Sequence, residues 1–207
     1  AVNGVVTTEL GTKVTVDDII TYDGKVIRGE PNVYILMNKP KDYVTTLEDE
    51  HADKIVTDLL GDKVPERVYP VGRLDKNSTG ILILTNDGEL TKILTHPSYN
   101  KKKIYQVSID KNLTEEDMEK IATGVELEDG VAFADEISCV EGNRKEVGVE
   151  IHSGRNRIVR RMFEHLGYKV RKLDRVYFAG LTKKGLPRGK WRYLNPLEVE
   201  MLKRPGK

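Results

Sequence analysis

A run of four aliphatic residues at positions 81–84 sets the tightest limit on the fold of this chain. A strand that is apolar on both of its sides must be buried on both faces of a sheet. Two later segments, residues 104–109 and 147–151, alternate apolar and polar positions instead, which is typical of strands with one face in solvent. The pattern predicts a sheet in which one strand is buried on both faces and two others have one face in solvent.

Short helices are predicted between these strands. Residues 114–117 read Thr-Glu-Glu-Asp, which has the form of a capping box, and they predict a helix that ends at Gly124. Ile158, Met162 and Leu166 recur every four residues, which predicts a helix over residues 156–166 with one apolar stripe. A doubly wound parallel sheet is the less favoured alternative, because its strands would not alternate in this way.

The chain is predicted to contain two domains. Residues 1–29 include the turn sequences Asn3-Gly4 and Asp23-Gly24 between β-branched residues, so they predict one or two short hairpins. This segment is too small to bury much apolar surface by itself. Residues 30–207 contain the alternation of strands and short helices, and they form the larger predicted domain.

Charge is distributed unevenly along the chain. The sequence has 34 Lys and Arg against 33 Asp and Glu, which gives a formal net charge of +1. Residues 155–192 nevertheless hold 13 basic and 2 acidic residues, whereas residues 113–150 hold 3 basic and 12 acidic residues. A field that is strongly positive on one side of a protein suits a polyanion such as nucleic acid.

Composition excludes several classes of protein. No apolar run approaches the roughly 20 residues that a membrane helix needs, and no signal peptide is recognisable, so a cytoplasmic protein is expected. Cys139 is the only cysteine, which excludes an internal disulfide framework and a thiolate cluster. The four histidines lack the short spacings of a zinc site, and no metal is expected.

Arginine is concentrated at the start of the predicted helix 156–166, at positions Arg155, Arg157, Arg160 and Arg161. A guanidinium group binds phosphate or carboxylate through two parallel hydrogen bonds, whereas an ordinary solvated face more often mixes Lys with Glu. Within this helix only Glu164 offers compensation. The segment therefore favours an anion-binding surface over the alternative of an ordinary charged surface helix.

A polar loop, residues 72–80, directly precedes the aliphatic run. It reads Gly-Arg-Leu-Asp-Lys-Asn-Ser-Thr-Gly, so it places Arg73 and Asp75 at the mouth of a buried strand. A loop aspartate on its own is more often a turn or cap residue than a catalyst. The significance of Asp75 therefore depends on the motifs that accompany it.

Three motifs, in order and spacing, resemble the pseudouridine synthases of the ribosomal RNA small- and large-subunit (RsuA/RluB-like) family. Residues 72–88 match the Asp-containing signature, residues 103–107 match the Lys-x-Tyr strand, and residues 154–164 match the basic helix. The resemblance covers essentially the whole chain. It departs at Asp42, where the family usually has glycine, and residues 1–29 resemble only the back half of the family's small accessory RNA-binding domain.

The resemblance implies the pseudouridine synthase fold, an α+β fold in which short helices cross a mixed, mainly antiparallel sheet and an active cleft lies across its middle. It also implies a reaction that needs no metal or cofactor. Uridine becomes pseudouridine when the bond from N1 to the ribose breaks, the uracil rotates and C5 joins the sugar. The resemblance assigns Asp75 as nucleophile or acid/base. It makes Arg160 the expected partner of that carboxylate, with Arg157 and Arg161 as competitors, and Tyr105 the ring that stacks on uracil or takes part in proton removal at C5.

The basic residues expected to bind RNA are Arg73, Lys103, Arg155, Arg157, Arg161, Lys172 and Arg175. Arg73 is suited to contact a phosphate or to fill the space that a flipped base leaves, and the others would hold the RNA backbone. The expected partner is ribosomal RNA with its target uridine in a single strand or stem-loop. A large-subunit target is favoured over a small-subunit one, and the protein is expected to be a monomer.

The sequence is also compatible with two other functions. One is a non-catalytic RNA-binding or ribosome-assembly protein with the same fold, which would not need an acidic residue inside a phosphate-binding surface. The other is a phosphodiester-cleaving nuclease, which is disfavoured because the sequence lacks clustered acids for two metal ions and paired histidines for metal-free cleavage.

Overall fold

The computed structural model describes residues 1–15, 17–27, 29–46 and 54–204. The chain divides into two compact units, Ala1–Pro31 and Asn32–Lys207. This division falls close to the boundary expected from the sequence between residues 29 and 30. Among the described residues, no helix is both long and apolar enough to cross a membrane.

The first unit contains the two turns that its sequence predicts. Strands β1 (Ile20–Tyr22) and β2 (Lys25–Ile27) pair in an antiparallel hairpin. Asp23 and Gly24 form its turn with φ angles of +48° and +73°, the left-handed values that a two-residue hairpin turn requires. The Asn3-Gly4 turn also has positive φ angles, and a bridge between its flanking residues closes it.

The second unit contains the remaining strands and helices. In chain order they are β3 (Tyr34–Lys39), β4 (Tyr69–Pro70), β5 (Thr79–Thr85), α1 (Gly88–Thr95), β6 (Lys103–Ile109), α2 (Glu115–Thr123), β7 (Val125–Leu127), β8 (Gly130–Ala132), β9 (Glu136–Val140), β10 (Asn143–Ile151), α3 (Ile158–His165), β11 (Val170–Phe178), β12 (Leu181–Thr182), β13 (Trp191–Tyr193) and α4 (Pro196–Lys203). Short 3-10 helices lie at Val56–Leu59, Gly61–Lys63 and Pro97–Tyr99.

One mixed sheet dominates the second unit. Its strands lie in the order β13-β3-β5-β11-β6-β10-β9, with β4 paired to β5 and β12 paired to β11. Among the described strands of this sheet, β5 and β11 form the one parallel pair, and the other pairs are antiparallel. The predicted α+β architecture is confirmed, and the doubly wound alternative is wrong.

Strand β5 is buried on both faces, as its aliphatic run predicts. Ile81 and Ile83 pack with residues of α1 and α4, whereas Leu82 and Leu84 pack on the opposite side with residues of α2 and α3. The neighbouring region of the sheet is covered on one face only. In β6, Val107 is buried while Gln106 is exposed, so the alternation predicted for this strand is confirmed.

The helices agree with the sequence except at the start of α3. Helix α2 begins after Thr114, whose hydroxyl accepts the backbone N–H of Asp117, and it ends at Gly124 as predicted. Helix α3 spans Ile158–His165 rather than residues 156–166. Arg157 has a φ of +48°, and a left-handed residue cannot continue a right-handed helix, so Arg155 and Arg157 precede α3 rather than lying on its first turn.

Strand β3 continues beyond the apolar stretch of residues 33–37. It extends to Lys39 because its pairing with β5 continues to the partner Gly80, and Pro40 then ends it. The loop that follows contains Asp42 with a φ of +71°. The residue that departs from the family pattern thus adopts the left-handed backbone conformation that glycine adopts most readily.

Candidate active site

The loop between β4 and β5 holds Asp75 in a fixed position. The backbone N–H of Ser78 donates to the Asp75 carbonyl oxygen at 2.9 Å and closes a turn. On the other side, the Thr45 hydroxyl donates to the Leu74 carbonyl oxygen at 3.0 Å and accepts the Leu74 N–H at 3.2 Å. Hydrogen bonds therefore hold the backbone on both sides of the Asp75 side chain.

A fully buried lysine lies beneath this loop. The Lys39 Nζ donates to the carbonyl oxygens of Pro40 at 3.1 Å, Asp75 at 3.1 Å, Lys76 at 3.4 Å and Ser78 at 2.8 Å. Burial lowers the pKa of Lys39 to about 8, while the charge of the nearby Asp75 opposes that shift. Lys39 was not among the predicted site residues, and the signal for it is a lysine at the end of an aliphatic strand, directly before proline.

Two guanidinium groups contact the Asp75 carboxylate. Arg157 Nη1 donates to Oδ2 at 3.1 Å, and Arg160 Nε lies 3.5 Å from the same oxygen. The side chain of Arg157 is 43% exposed, whereas that of Arg160 is 8% exposed. The structure therefore brings both the expected partner and one of its competitors to Asp75, and it places one of them in solvent and the other in the protein interior.

Arg160 is fixed by contacts on several sides. Its Nη1 donates to the Val170 carbonyl oxygen at 3.3 Å, and its Nη2 donates to the Ser78 hydroxyl at 3.4 Å. Burial lowers the pKa of Arg160, and the charge of Asp75 acts in the opposite direction. The carboxylate thus offsets part of the cost of burying this cation.

Asp75 lies at the edge of a cleft that contains Tyr105. Tyr105 lies on the buried face of β6 and is 8% exposed. Leu173 and Phe178 of β11 add apolar surface to the same cleft. Apolar walls with a few converging polar groups are typical of sites that bind small planar molecules or single nucleotides.

Lys103 and Arg175 also line this cleft, and both are largely withdrawn from solvent. Lys103 Nζ donates to the carbonyl oxygens of His152 and Ser153, each at 3.2 Å, and burial lowers its pKa to about 8. Arg175 Nε donates to the Ile81 carbonyl oxygen at 2.8 Å. Within the described part of the chain, Arg175 Nη2 is buried and has no hydrogen-bond partner.

Other predicted RNA-binding residues are arranged differently. Arg73 is exposed and lines the cleft. Arg155 and Arg161 both form ion pairs with Asp129, which the sequence interpretation did not single out. Lys172 does not line the Asp75 cleft but a second cavity, and among the predicted site residues Arg160 lines that cavity with it.

The described residues do not form a metal-binding group. Over residues 1–15, 17–27, 29–46 and 54–204, no three His, Cys, Asp or Glu side chains are grouped so that they could hold a metal ion. The charged groups that converge in the described cleft are cations around the single carboxylate of Asp75. Such a set is suited to acid/base or nucleophilic chemistry by that carboxylate on an anionic substrate.

Comparison with known proteins identifies relatives along most of the chain. A family model described as RNA pseudouridylate synthase matches residues 33–165. The chain is 40% identical over 206 residues to ribosomal large subunit pseudouridine synthase B of Bacillus subtilis (strain 168), an alignment that covers 98% of this chain and 84% of the relative. It is 35% identical over 197 residues to the dual-specificity RNA pseudouridine synthase RluF of Escherichia coli (strain K12), covering 92% of this chain and 65% of that protein.

The fold agrees with these relationships. A crystal structure of a pseudouridylate synthase superposes with a TM-score of 0.75 at 24% sequence identity, covering 98% of this chain and 87% of that one. The family model ends at residue 165, and it covers all three motifs on which the resemblance depends. This chain belongs to the RNA pseudouridylate synthase family.

Proposed function

We propose that this protein converts a uridine of ribosomal RNA into pseudouridine, and that Asp75 acts at C1′ of the ribose as nucleophile or as acid/base. One observation supports this most strongly: the Asp75 carboxylate contacts Arg157 and Arg160 at the edge of the cleft that contains Tyr105. One relative is named for the large ribosomal subunit, which favours a large-subunit target.

The reaction is an isomerisation and balances without a second reactant. The bond between N1 and C1′ breaks, the bond between C5 and C1′ forms, C5 loses a proton and N1 gains one. Asp75 either adds to C1′ and is later displaced, or moves a proton at the sugar. Arg160 keeps a positive charge close to the carboxylate in a partly dry environment, where Coulomb attraction is less screened than in water.

Tyr105 is proposed to orient the uracil. Its ring lines the cleft beside Asp75, so a base in the cleft could stack on it, and its hydroxyl is the group proposed to take part in proton removal at C5. The target nucleotide must first leave its stack, at a cost of a few kcal/mol. Arg73 is exposed at the same cleft, and it is proposed to contact a phosphate or occupy the space left by the base.

The remaining basic residues are proposed to hold the RNA strand outside the cleft. Lys172 is exposed and lies in the second cavity beside Lys41, Arg171 and Arg188, so this surface is proposed to contact a stretch of backbone away from the target nucleotide. The first unit, Ala1–Pro31, is proposed to act as part of an accessory RNA-binding domain. We further propose that the protein acts as a cytoplasmic monomer on a single-stranded or stem-loop uridine.

A non-catalytic RNA-binding protein with this fold is the alternative. An RNA-binding surface does not require an acidic side chain among its cations, because a carboxylate repels the phosphate backbone. The contacts of Arg157 and Arg160 with Asp75, together with the family relationship, favour the catalytic function.

Tritium release from RNA labelled at C5 of uridine tests the proposal. Wild-type protein should release tritium from a large-subunit ribosomal RNA transcript in the presence of a metal chelator. The Asp75→Asn variant should release none and should still bind the transcript in a filter assay. Full activity of Asp75→Asn would refute the role of this carboxylate, and RNA binding without any release by the wild type would favour the non-catalytic alternative.

A further inference from the structure

Asp129 receives two arginine side chains at once. It lies in the turn between β7 and β8, and its Oδ2 accepts hydrogen bonds from Arg155 Nε at 3.2 Å and Arg161 Nη1 at 3.0 Å. The second nitrogen of each fork, Nη2, donates to Oδ1. One carboxylate is therefore held by two bidentate guanidinium groups.

This geometry is the one by which arginine binds a phosphate group. Two forks that converge on two oxygen atoms can hold a phosphodiester as well as a carboxylate, since each offers two acceptor oxygens and one negative charge. The two guanidinium groups carry twice the charge that the single carboxylate neutralises. The site thus keeps a positive excess even when Asp129 occupies it.

One of these two arginines, Arg155, lies in the cleft of the reacting group. Arg155 lines the same cleft as Asp75, and Arg157, two residues further along, contacts the Asp75 carboxylate. A phosphate held at Arg155 would therefore belong to a nucleotide at or adjacent to the target uridine.

Asp129 is able to leave without loss of the hairpin. Its side chain is 49% exposed, so it can rotate into solvent. Arg155 also donates to the carbonyl oxygens of Gly130 at 2.9 Å and Val131 at 2.7 Å, and these bonds tie the backbone of the hairpin to Arg155 independently of the carboxylate.

We propose that Arg155 and Arg161 form a phosphate-binding site for the RNA backbone, that the Asp129 carboxylate occupies this site in the free protein, and that a phosphodiester displaces it when RNA binds. The proposal rests on RNA being the substrate, as proposed above. Asp129 thereby lowers the affinity for RNA that delivers a phosphate to this point, because the phosphodiester must displace the carboxylate from both arginines.

Neutralising Asp129 tests the proposal. If the carboxylate only stabilised the hairpin, its removal should weaken the binding of RNA, whereas the proposal predicts tighter binding. Affinity is measured by fluorescence anisotropy with labelled oligouridylate over a series of salt concentrations. The Asp129→Asn variant should bind about tenfold more tightly than wild type at low salt, and its slope of log affinity against log salt should be steeper by about one. The Asp129→Ser variant should show the same gain in affinity and the same steeper slope.

Glu128→Gln is the matched control, because it removes one negative charge at the neighbouring, exposed position and should change affinity by less than about twofold. In the Arg161→Gln background, Asp129→Asn should give a smaller gain, because only the Arg155 fork is then freed. Unchanged or weaker binding by both Asp129 variants, a gain no larger than that of Glu128→Gln, or a gain that is undiminished without Arg161 would overturn the proposal. In each of these cases, tritium release by the wild-type protein would still support the proposed enzymatic function.

Discussion

The Nε of Arg160 lies 3.5 Å from Oδ2 of Asp75, and 8% of the Arg160 side chain is exposed to solvent. Arg157 approaches the same oxygen more closely, at 3.1 Å, but from a side chain that is 43% exposed. Distance and burial therefore favour different partners. Water screens an exposed ion pair strongly, so burial carries more weight than a difference of 0.4 Å between 3.1 and 3.5 Å.

Arg160→Ala should reduce the rate of pseudouridine formation more than Arg157→Ala. Arg160 is largely buried, so water screens its attraction to the carboxylate less, whereas an exposed pair contributes about 0 to 1 kcal/mol. Single-turnover tritium release with saturating protein measures the difference directly. Equal losses in the two variants would make the exposed Arg157 at least an equal partner of the carboxylate.

Lys39→Met should destabilise the protein and slow the reaction. The substitution leaves four carbonyl oxygens, among them the buried one of Ser78, without their shared donor, and we expect the free energy of unfolding to fall by about 3 kcal/mol. Urea denaturation measures this change. Lys41→Met, at an exposed position two residues away, is the control and should change stability by less than about 0.5 kcal/mol. Equal stability of the two variants would contradict the role of Lys39 in holding the loop.

Lys103→Met should alter how stability depends on pH. The pKa of Lys103 is lowered from 10.5 to about 8 in the folded protein, so between these pH values the unfolded chain binds more protons than the folded one. The contribution of this residue to the free energy of unfolding therefore rises as pH increases from about 8 to 10.5. Wild type should gain stability relative to Lys103→Met between pH 7 and pH 10 in urea denaturation, and a constant difference would contradict the lowered pKa.

Gly80→Ala should be strongly destabilising. Gly80 has a φ of +109°, and a Cβ atom there would lie 2.2 Å from the Arg175 carbonyl oxygen. Backbone strain and overlap with backbone atoms together should lower the free energy of unfolding by about 3 kcal/mol. Gly88→Ala is the control, because the space around Gly88 is open and the first position of α1 accepts alanine. A melting temperature of Gly80→Ala equal to that of Gly88→Ala would contradict this contact.

Much of the fold could be predicted because each strand carries its own pattern of burial. The aliphatic run in β5 predicts burial on both faces, and the alternation in β6 predicts burial on one. Thr114 and Gly124 likewise mark the ends of α2 through local backbone chemistry. The meeting of Asp75 and Arg160 followed instead from the family motifs, since no local pattern relates two segments so far apart.

The features that could not be predicted depend on contacts between distant segments. The left-handed conformation of Arg157 is unfavourable for the isolated residue, and the tertiary structure holds it there. The pairing of Asp129 with Arg155 and Arg161 joins a hairpin that lies outside the motifs to the basic segment at residues 154–164. In the sequence, Lys39 is only the polar end of a strand, because most of the carbonyl oxygens that surround its Nζ come from a distant loop.

The parallel pairing of β5 with β11 has a consequence for synthesis on the ribosome. Asp75 precedes β5, whereas Arg160 lies shortly before β11, so the two meet only after β11 has joined the sheet. A nascent chain that has emerged through β6 contains the aspartate and the tyrosine but not their cations. The contact between Asp75 and Arg160 therefore cannot form until the chain has been made through α3.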